Sequence, residues 1–185
     1  MGKQNGCTVW FTGLPCSGKT TVCKKVQEIL QGQGYRVELL DGDELRKHFS
    51  AGVGFSKEDR SNHLKRVSFL AHLLTKHGVI VLASFVSPYR ENRDYARQLI
   101  GERFFEVFAD APLEACIKRD VKGMYKKALA GEIKDFTGVQ DPYEPPLAPE
   151  LTIKTNDEPL EQSVEHVLAF LRARNVLSNG ATARV

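Results

Sequence analysis

The sequence predicts an α/β domain: a doubly wound, mostly parallel five-stranded sheet with helices on both faces, of the phosphate-loop nucleoside triphosphate hydrolase type, with a mobile lid. Two observations carry this. Short runs rich in β-branched and aromatic residues alternate with segments of helical period along most of the chain. The middle runs, 79–85 (VIVLASF) and 104–109 (FFEVFA), are nearly continuously apolar, as strands of a parallel sheet are when both faces are covered. A third observation fixes the type. Gly13 to Thr20 reads GLPCSGKT and fits G-x-x-x-x-G-K-[ST], the phosphate-binding loop.

The elements follow in order. A first strand is expected at 7–12 (CTVWFT), then the glycine loop, then a helix over about 18–32 with apolar residues at helical spacing. Strand, loop and helix are the context the motif needs. A second strand is expected at 36–41 (RVELLD). A helix at 57–77 opens on Ser56, with Asp59 three residues on as a near capping box. Strand 79–85, helix 90–100, strand 104–109 and helix 112–120 come next, and strand 151–155 precedes the last helix at 159–174. That helix begins at Pro159 after Asn156-Asp157-Glu158, a good start signal. These elements make one domain over 1–178, and 179–185 is expected to be a flexible tail.

Residues 121–150 break the alternation. They carry Lys122, Lys126, Lys127 and Lys134, then Gly131 and Gly138, then prolines at 142, 145, 146 and 149. The stretch is too long for an ordinary connection. It reads as a basic, mobile lid that closes over a phosphate site and excludes water, against the alternative of a solvated excursion.

Composition narrows the partners. The 185 residues are 42% hydrophobic and 26% charged with a net charge of +3, ordinary for a globular domain. That excess is too small to argue for nucleic acid, and small anionic substrates account for it equally. The polar start MGKQNG resembles no signal peptide, and no apolar run reaches the roughly 20 residues of a membrane span. Cys7, Cys16, Cys23 and Cys116 lack metal-ligand spacing and read as reduced thiols of a cytoplasmic protein.

The chemistry starts in the octet. Gly13 and Gly18 let the backbone curl so that its N–H groups face a phosphate, and the following helix adds its positive end. Lys19 reaches the β- and γ-phosphates, and the Thr20 hydroxyl is placed for Mg²⁺. Gly13, Leu14, Pro15, Cys16, Ser17, Gly18, Lys19, Thr20 and Thr21 are thus the candidate ATP contacts. Cys16, flanked by backbone N–H groups, is either an acidified thiol or inert packing.

The second strand ends in Asp41-Gly42-Asp43-Glu44-Leu45-Arg46, where an acceptor would bind beside the loop. Phosphoryl transfer asks mainly for positioning, charge neutralisation and a proton acceptor. Asp43 is the candidate base or orients the Mg²⁺ water shell, unless it only caps a helix. Arg46, one turn on, suits an oxyanion. Arg60 and His63, three apart, share a helix face. Phe55 reads as a core plug or a base-stacking surface. Phe136, inside a polar flap with little core to join, leans towards stacking.

At this point the residues resemble the adenylylsulfate kinase family. The stations are the phosphate loop, LDGDELR (40–46), GFSKEDR (54–60), SFVSPYR (84–90), APLEACIKRDVKGMYKKALAGEIKDFTG (111–138) and DPYEPPLAPEL (141–151). The loop alone marks a very large class; the run from 119 to 146 is far more specific. The resemblance implies phosphorylation of the ribose 3′-hydroxyl of adenylyl sulfate (APS) by ATP, with Mg²⁺, to give 3′-phosphoadenylyl sulfate and ADP. It implies that Asp43 is the base or hydroxyl-orienting carboxylate, that Arg46 and Arg60 grip the phosphosulfate, and that Phe55 and Phe136 sandwich the adenine. Val86 and Ser87 would line the acceptor site, Lys122 would bring charge from the lid, and Arg119 would flank the ATP base. Ser87 aligns with a serine proposed in the family as a phosphorylated intermediate. With no adjacent base in the sequence, in-line transfer with Ser87 as a hydrogen-bonding wall is simpler. A homodimer and functional coupling to an ATP sulfurylase are further implications.

Departures from the family pattern fall in the acceptor region. Glu44 stands where Asn is common, His63 where an Asn contacts APS, and Asp135 where glycine precedes FTG. They motivate an alternative, a related kinase with another nucleotide-like acceptor. A nucleotide-dependent binding module is a third reading, disfavoured because a module that only binds needs no proton acceptor.

Overall fold

The computed structural model describes residues 4–49, 54 and 56–178. Five strands, β1 (Cys7–Thr12), β2 (Val37–Asp41), β3 (Ile80–Ser84), β4 (Phe104–Ala109) and β5 (Leu151–Ile153), form one all-parallel sheet in the order β2-β3-β1-β4-β5. The helices among the described residues are α1 (Lys19–Gly32), α2 (Gly42–Phe49), α3 (Lys57–Lys76), α4 (Arg90–Ile100), α5 (Leu113–Arg119), α6 (Met124–Leu129) and α7 (Leu160–Ala173).

Strand periodicity sorts the central residues between two cores. Successive side chains of β1 point to opposite faces. Cys7, Val9 and Phe11 join Val22, Val26 and Leu30 of α1 and Val164, Val167 and Leu171 of α7. Trp10 faces the other way, with Val81 and Ala83 of β3, and meets Leu64, Val67 and Ala71 of α3 and Ala96 of α4. A side chain as buried as Phe11 contributes roughly 1.5–3 kcal/mol relative to exposure, so this strand is the energetic centre.

Every expected strand and long helix is present, with boundaries trimmed by a residue or two. Strand 151–155 shortens to Leu151–Ile153. Two short helices, α2 and α6, escape the periodicity because they are brief and polar. The cap of α2 is Asp41, whose Oδ1 accepts from the N–H groups of Asp43 (3.0 Å) and Glu44 (3.3 Å). Asp43 itself is therefore not the cap. Ser56 does cap α3, accepting from the Asp59 N–H at 3.1 Å while its hydroxyl donates to the Asp59 carboxylate at 2.7 Å.

The excursion 121–150 divides in two. Residues 121–140 hold α6 and share a small cluster with the stretch around α5, in which Phe136 and Val139 pack on Ala111, Cys116 and Tyr125. Residues 141–150 form a strap fastened to the sheet ends. The Glu144 N–H donates to the Pro88 carbonyl (2.9 Å), Tyr143 shares a hydrogen bond with Thr12 (2.9 Å), and Glu150 accepts from the Glu106 N–H (2.6 Å).

Two constraints are sharp enough to test. A Cβ on Gly6 would sit 2.3 Å from the Thr75 carbonyl oxygen and 2.8 Å from that of Val79; both are backbone and cannot turn aside. Gly6→Ala should therefore lower stability by about 1–3 kcal/mol, the usual cost of overpacking. Urea unfolding with an unchanged midpoint would refute this. Second, His63 is buried on α3 with its ring 6.0 Å from that of Phe85. Burial, with Arg46 and Arg66 nearby, lowers its pKa to about 4, whereas the unfolded imidazole titrates near 6.5. Between these values the unfolded chain binds more protons, so stability falls as pH drops from about 6.5 to 4, by at most about 1.4 kcal/mol per pH unit. His63→Gln should flatten that slope in pH-dependent thermal melts; an unaltered slope would exclude His63 as its source.

Candidate active site

β1 runs directly into the phosphate loop. A Cβ on Gly13 would lie 2.6 Å from the Ala109 carbonyl oxygen and 2.8 Å from Ser17 Oγ, so only glycine lets the loop pass this close to β4. Cys16 adopts a left-handed backbone (φ 60°), and α1 begins at Lys19, which turns its first N–H groups towards the loop. Leu14, Pro15 and Cys16 are half-buried, Ser17 and Lys19 buried, and Thr21 exposed. The Lys19 ammonium donates to the carbonyls of Gly13 (2.9 Å) and Leu14 (2.7 Å) and to Ser17 Oγ (3.1 Å). Burial lowers its pKa to about 8; an anion beside it would favour the charged form.

The outer side of the loop is held from three elements. Thr155 Oγ1 donates to the Ser17 carbonyl at 2.7 Å, Tyr125 Oη to that of Pro15 at 3.1 Å, and Arg119 to the carbonyls of Cys16 (3.3 Å) and Thr155 (2.8 Å). Arg119 thus stands at the loop's flank. No local sequence pattern marks Thr155 and Tyr125, since they meet the loop only through the fold.

A polar cluster sits where the loop meets β2 and β3. Thr20 Oγ1 donates to Asp41 Oδ2 (3.0 Å) and lies 2.9 Å from Ser84 Oγ. Asp41 and Ser84 are register partners across the two strands. A hydroxyl, a carboxylate and a second hydroxyl are the hard oxygen donors that Mg²⁺ takes when substrate phosphates complete its shell. Among the described residues no group of three or more His, Cys, Asp and Glu side chains is arranged for a metal, so such an ion would depend on those phosphates. Asp41 and Ser84 join Thr20 here; the sequence signal is the LDGD run, in which the second aspartate alone carries an expected role.

The acceptor candidates gather beyond Asp41. Asp43 is exposed on the first turn of α2 and pairs with Lys122, which approaches from the 121–140 segment. This carboxylate raises the Lys122 pKa. Arg46 Nη1 donates to the Gly54 carbonyl at 3.1 Å. Burial lowers the Arg46 pKa, and the charge of Arg60 lowers it further, which marks the two guanidinium groups as neighbours. Arg60 donates to Thr137 Oγ1 (2.6 Å) and the Asp135 carbonyl and lies 3.7 Å from Asp141. Tyr89 donates to both oxygens of that same Asp141, at 3.0 and 2.8 Å.

Of the other candidates, Phe136 is the one whose surroundings differ from expectation. Phe136 does have a core to join, meeting Tyr125 edge-on at 5.0 Å. His63 is buried and neutral near pH 7, so it offers a hydrogen bond rather than a charge to an anion. Val86 accepts from Thr12 Oγ1 at 2.8 Å through its carbonyl. Ser87 is 2% exposed; its hydroxyl accepts from the Trp10 indole at 3.1 Å and donates to the Phe85 carbonyl at 3.4 Å. No general base is hydrogen-bonded to it among the described residues, which is poor geometry for a nucleophile. Glu44 is exposed. Asp135 takes φ 55°, a left-handed backbone that explains a glycine preference at this place. Phe55 lies outside the described residues.

Residues 5–154 match the family described as adenylylsulphate kinase. The adenylyl-sulfate kinase of Halothermothrix orenii is 51% identical over 96% of this chain and 96% of its own length. That of Rippkaea orientalis is 54% identical over 89% of this chain and 91% of its own. The structure of the Mycobacterium tuberculosis APS kinase in complex with AMPPNP and APS superposes with a TM-score of 0.88 at 43% identity, covering 91% of this chain and 99% of that one. A phosphate loop beside a carboxylate and a pair of neighbouring arginines, together with these matches over nearly the whole length, establishes that the chain belongs to the adenylylsulphate kinase family.

Proposed function

We propose that this protein transfers the γ-phosphoryl group of ATP to the ribose 3′-hydroxyl of adenylyl sulfate, giving 3′-phosphoadenylyl sulfate and ADP, a step of sulfate activation. One observation carries the reading most directly. The Asp41 carboxylate touches Thr20 of the phosphate loop through one oxygen and starts α2 through the other, so the donor loop and the helix bearing Asp43 and Arg46 are joined at a single side chain. The similar M. tuberculosis enzyme forms a complex with both AMPPNP and APS.

In this reading the loop N–H groups and Lys19 spread their positive charge over the β- and γ-phosphates. Thr20, with Asp41 and Ser84 behind it, would hold Mg²⁺, which would supply charge neutralisation at the phosphates. Arg119 flanks the ATP base. Arg46, whose charge burial and then Arg60 disfavour, and Arg60 itself are complementary to the phosphosulfate anion. Phe136, together with Phe55, stacks on the acceptor adenine, and the His63 imidazole donates one neutral hydrogen bond. Val86 and Ser87 form a wall through the main chain. As the 3′-oxygen bonds to the γ-phosphorus, the bond from that phosphorus to the ADP oxygen breaks, and the hydroxyl proton passes to Asp43. Lys122 keeps that carboxylate paired from the side of the lid.

The reaction is tested by incubating the protein with Mg²⁺-ATP and adenylyl sulfate and resolving nucleotides by mass. A product one phosphoryl group heavier than adenylyl sulfate, with matching ADP, is expected. Turnover of a different nucleotide-like acceptor with none of adenylyl sulfate would replace the reading. Asp43→Asn should leave ATP binding intact and lower kcat on the order of 10²-fold, the scale of a general base. An undiminished kcat would remove Asp43 from the chemistry.

A further inference from the structure

Arg93 is among the largest buried side chains of the molecule, 2% exposed, and none of the roles above uses it. It sits on α4 and its guanidinium binds in three directions. Nη1 donates to the Ser87 carbonyl at 2.5 Å, Nη2 donates to the Glu144 carbonyl at 2.7 Å, and Nε faces Glu106 Oε1 of β4 at 2.6 Å. The group also lies 5.8 Å from the centre of the Tyr143 ring, whose hydroxyl meets Thr12 just before the phosphate loop. A planar fork of donors makes this three-way connection, and an ammonium does not.

The three targets are the parts that must stay in place around an acceptor. Ser87 holds a left-handed backbone at φ 39°, a conformation that persists for a non-glycine residue only when its surroundings impose it. Trp10 fixes its hydroxyl and Arg93 its carbonyl. Glu144 belongs to the strap that begins at Asp141, the carboxylate near Arg60. The charge pair itself is no reason for keeping the arginine. A buried ion pair is often matched in stability by apolar or neutral residues of the same volume.

We propose that Arg93 is a positioning residue for the acceptor. By tying Ser87 and Glu144 to Glu106, it sets both the Val86–Ser87 wall and, through the strap, the Asp141 anchor of Arg60. The inference rests on the reading of the chain as an adenylyl sulfate kinase.

The test compares steady-state kinetics and thermal midpoints of the wild type, Arg93→Lys, and the double variant Arg93→Met with Glu106→Gln, which leaves no unpaired buried charge. Both variants should raise the KM for adenylyl sulfate about tenfold or more, the scale of one lost charge-assisted hydrogen bond, while the KM for ATP stays within about twofold. Folded variants with an unchanged acceptor KM, or with both KM values raised together, would overturn the proposal. Should Arg93→Lys fail to fold, the double variant decides; failure of both would assign Arg93 to stability and end the proposal. A wild type that turns over another acceptor instead of adenylyl sulfate would refute the functional reading alone, and the same KM split would then be read on that acceptor.

Discussion

Asp41 is the side chain on which the arrangement of the site depends. Its position at the end of β2, beside Ser84 of β3, follows from the parallel register. From there one oxygen takes the Thr20 hydroxyl and the other takes the first N–H groups of α2. A helix start leaves such N–H groups without intrahelical partners, and a carboxylate answers both that need and the positive end of the helix. The same atoms therefore satisfy a local capping demand and bring the phosphate loop against helix α2. Local chemistry and site geometry are here one constraint.

Charge is distributed with similar economy. Burial, and after it the charge of Arg60, disfavour the charge of Arg46, and Arg60 is steadied by Thr137, the Asp135 carbonyl and Asp141. The strap from 141 to 150 places Asp141 there, and its own attachments run to Pro88, Thr12 and Glu106. A long, proline-rich connection is thereby a structural member along its last third. The stretch before it carries the lysine that reaches Asp43.

How much of this is legible in the sequence depends on whether the signal is local. The phosphate loop, the strands and the long helices announce themselves by spacing, and Ser56 by its capping pattern. The resemblance implies an acceptor region drawn from residues between 43 and 63, from Val86 and Ser87, and from Lys122 and Phe136. What escapes is set by distant pairing. Asp41 passes for a mere neighbour of Asp43 because its partner Thr20 is held to it only by the sheet. Phe136 reads only as a ligand contact because nothing in its sequence neighbourhood announces Tyr125 and Cys116, the small core that it also joins. Thr155 and Tyr125 reach the loop from far along the chain, and the arginine fork on α4 joins groups from three separate segments. Helices α2 and α6 are lost for a different reason: each is too short and polar to show a period.

The strand order has a consequence for how the chain assembles. β1 occupies the middle of the sheet, yet its partners β3 and β4 lie far away in sequence, with Cys7 opposite Ile80 and Thr8 opposite Phe104. No hairpin can nucleate such a sheet, and the entropy of closing long loops precedes any pairing of its central strand. During synthesis β1 must wait, apolar, until residue 84 has emerged to supply its first partner and residue 109 its second, a window in which it is exposed to wrong partners. The sole tryptophan of the chain, Trp10, ends up between Phe85 and Phe104. Its fluorescence is thus a built-in clock for the moment at which the centre of the sheet closes.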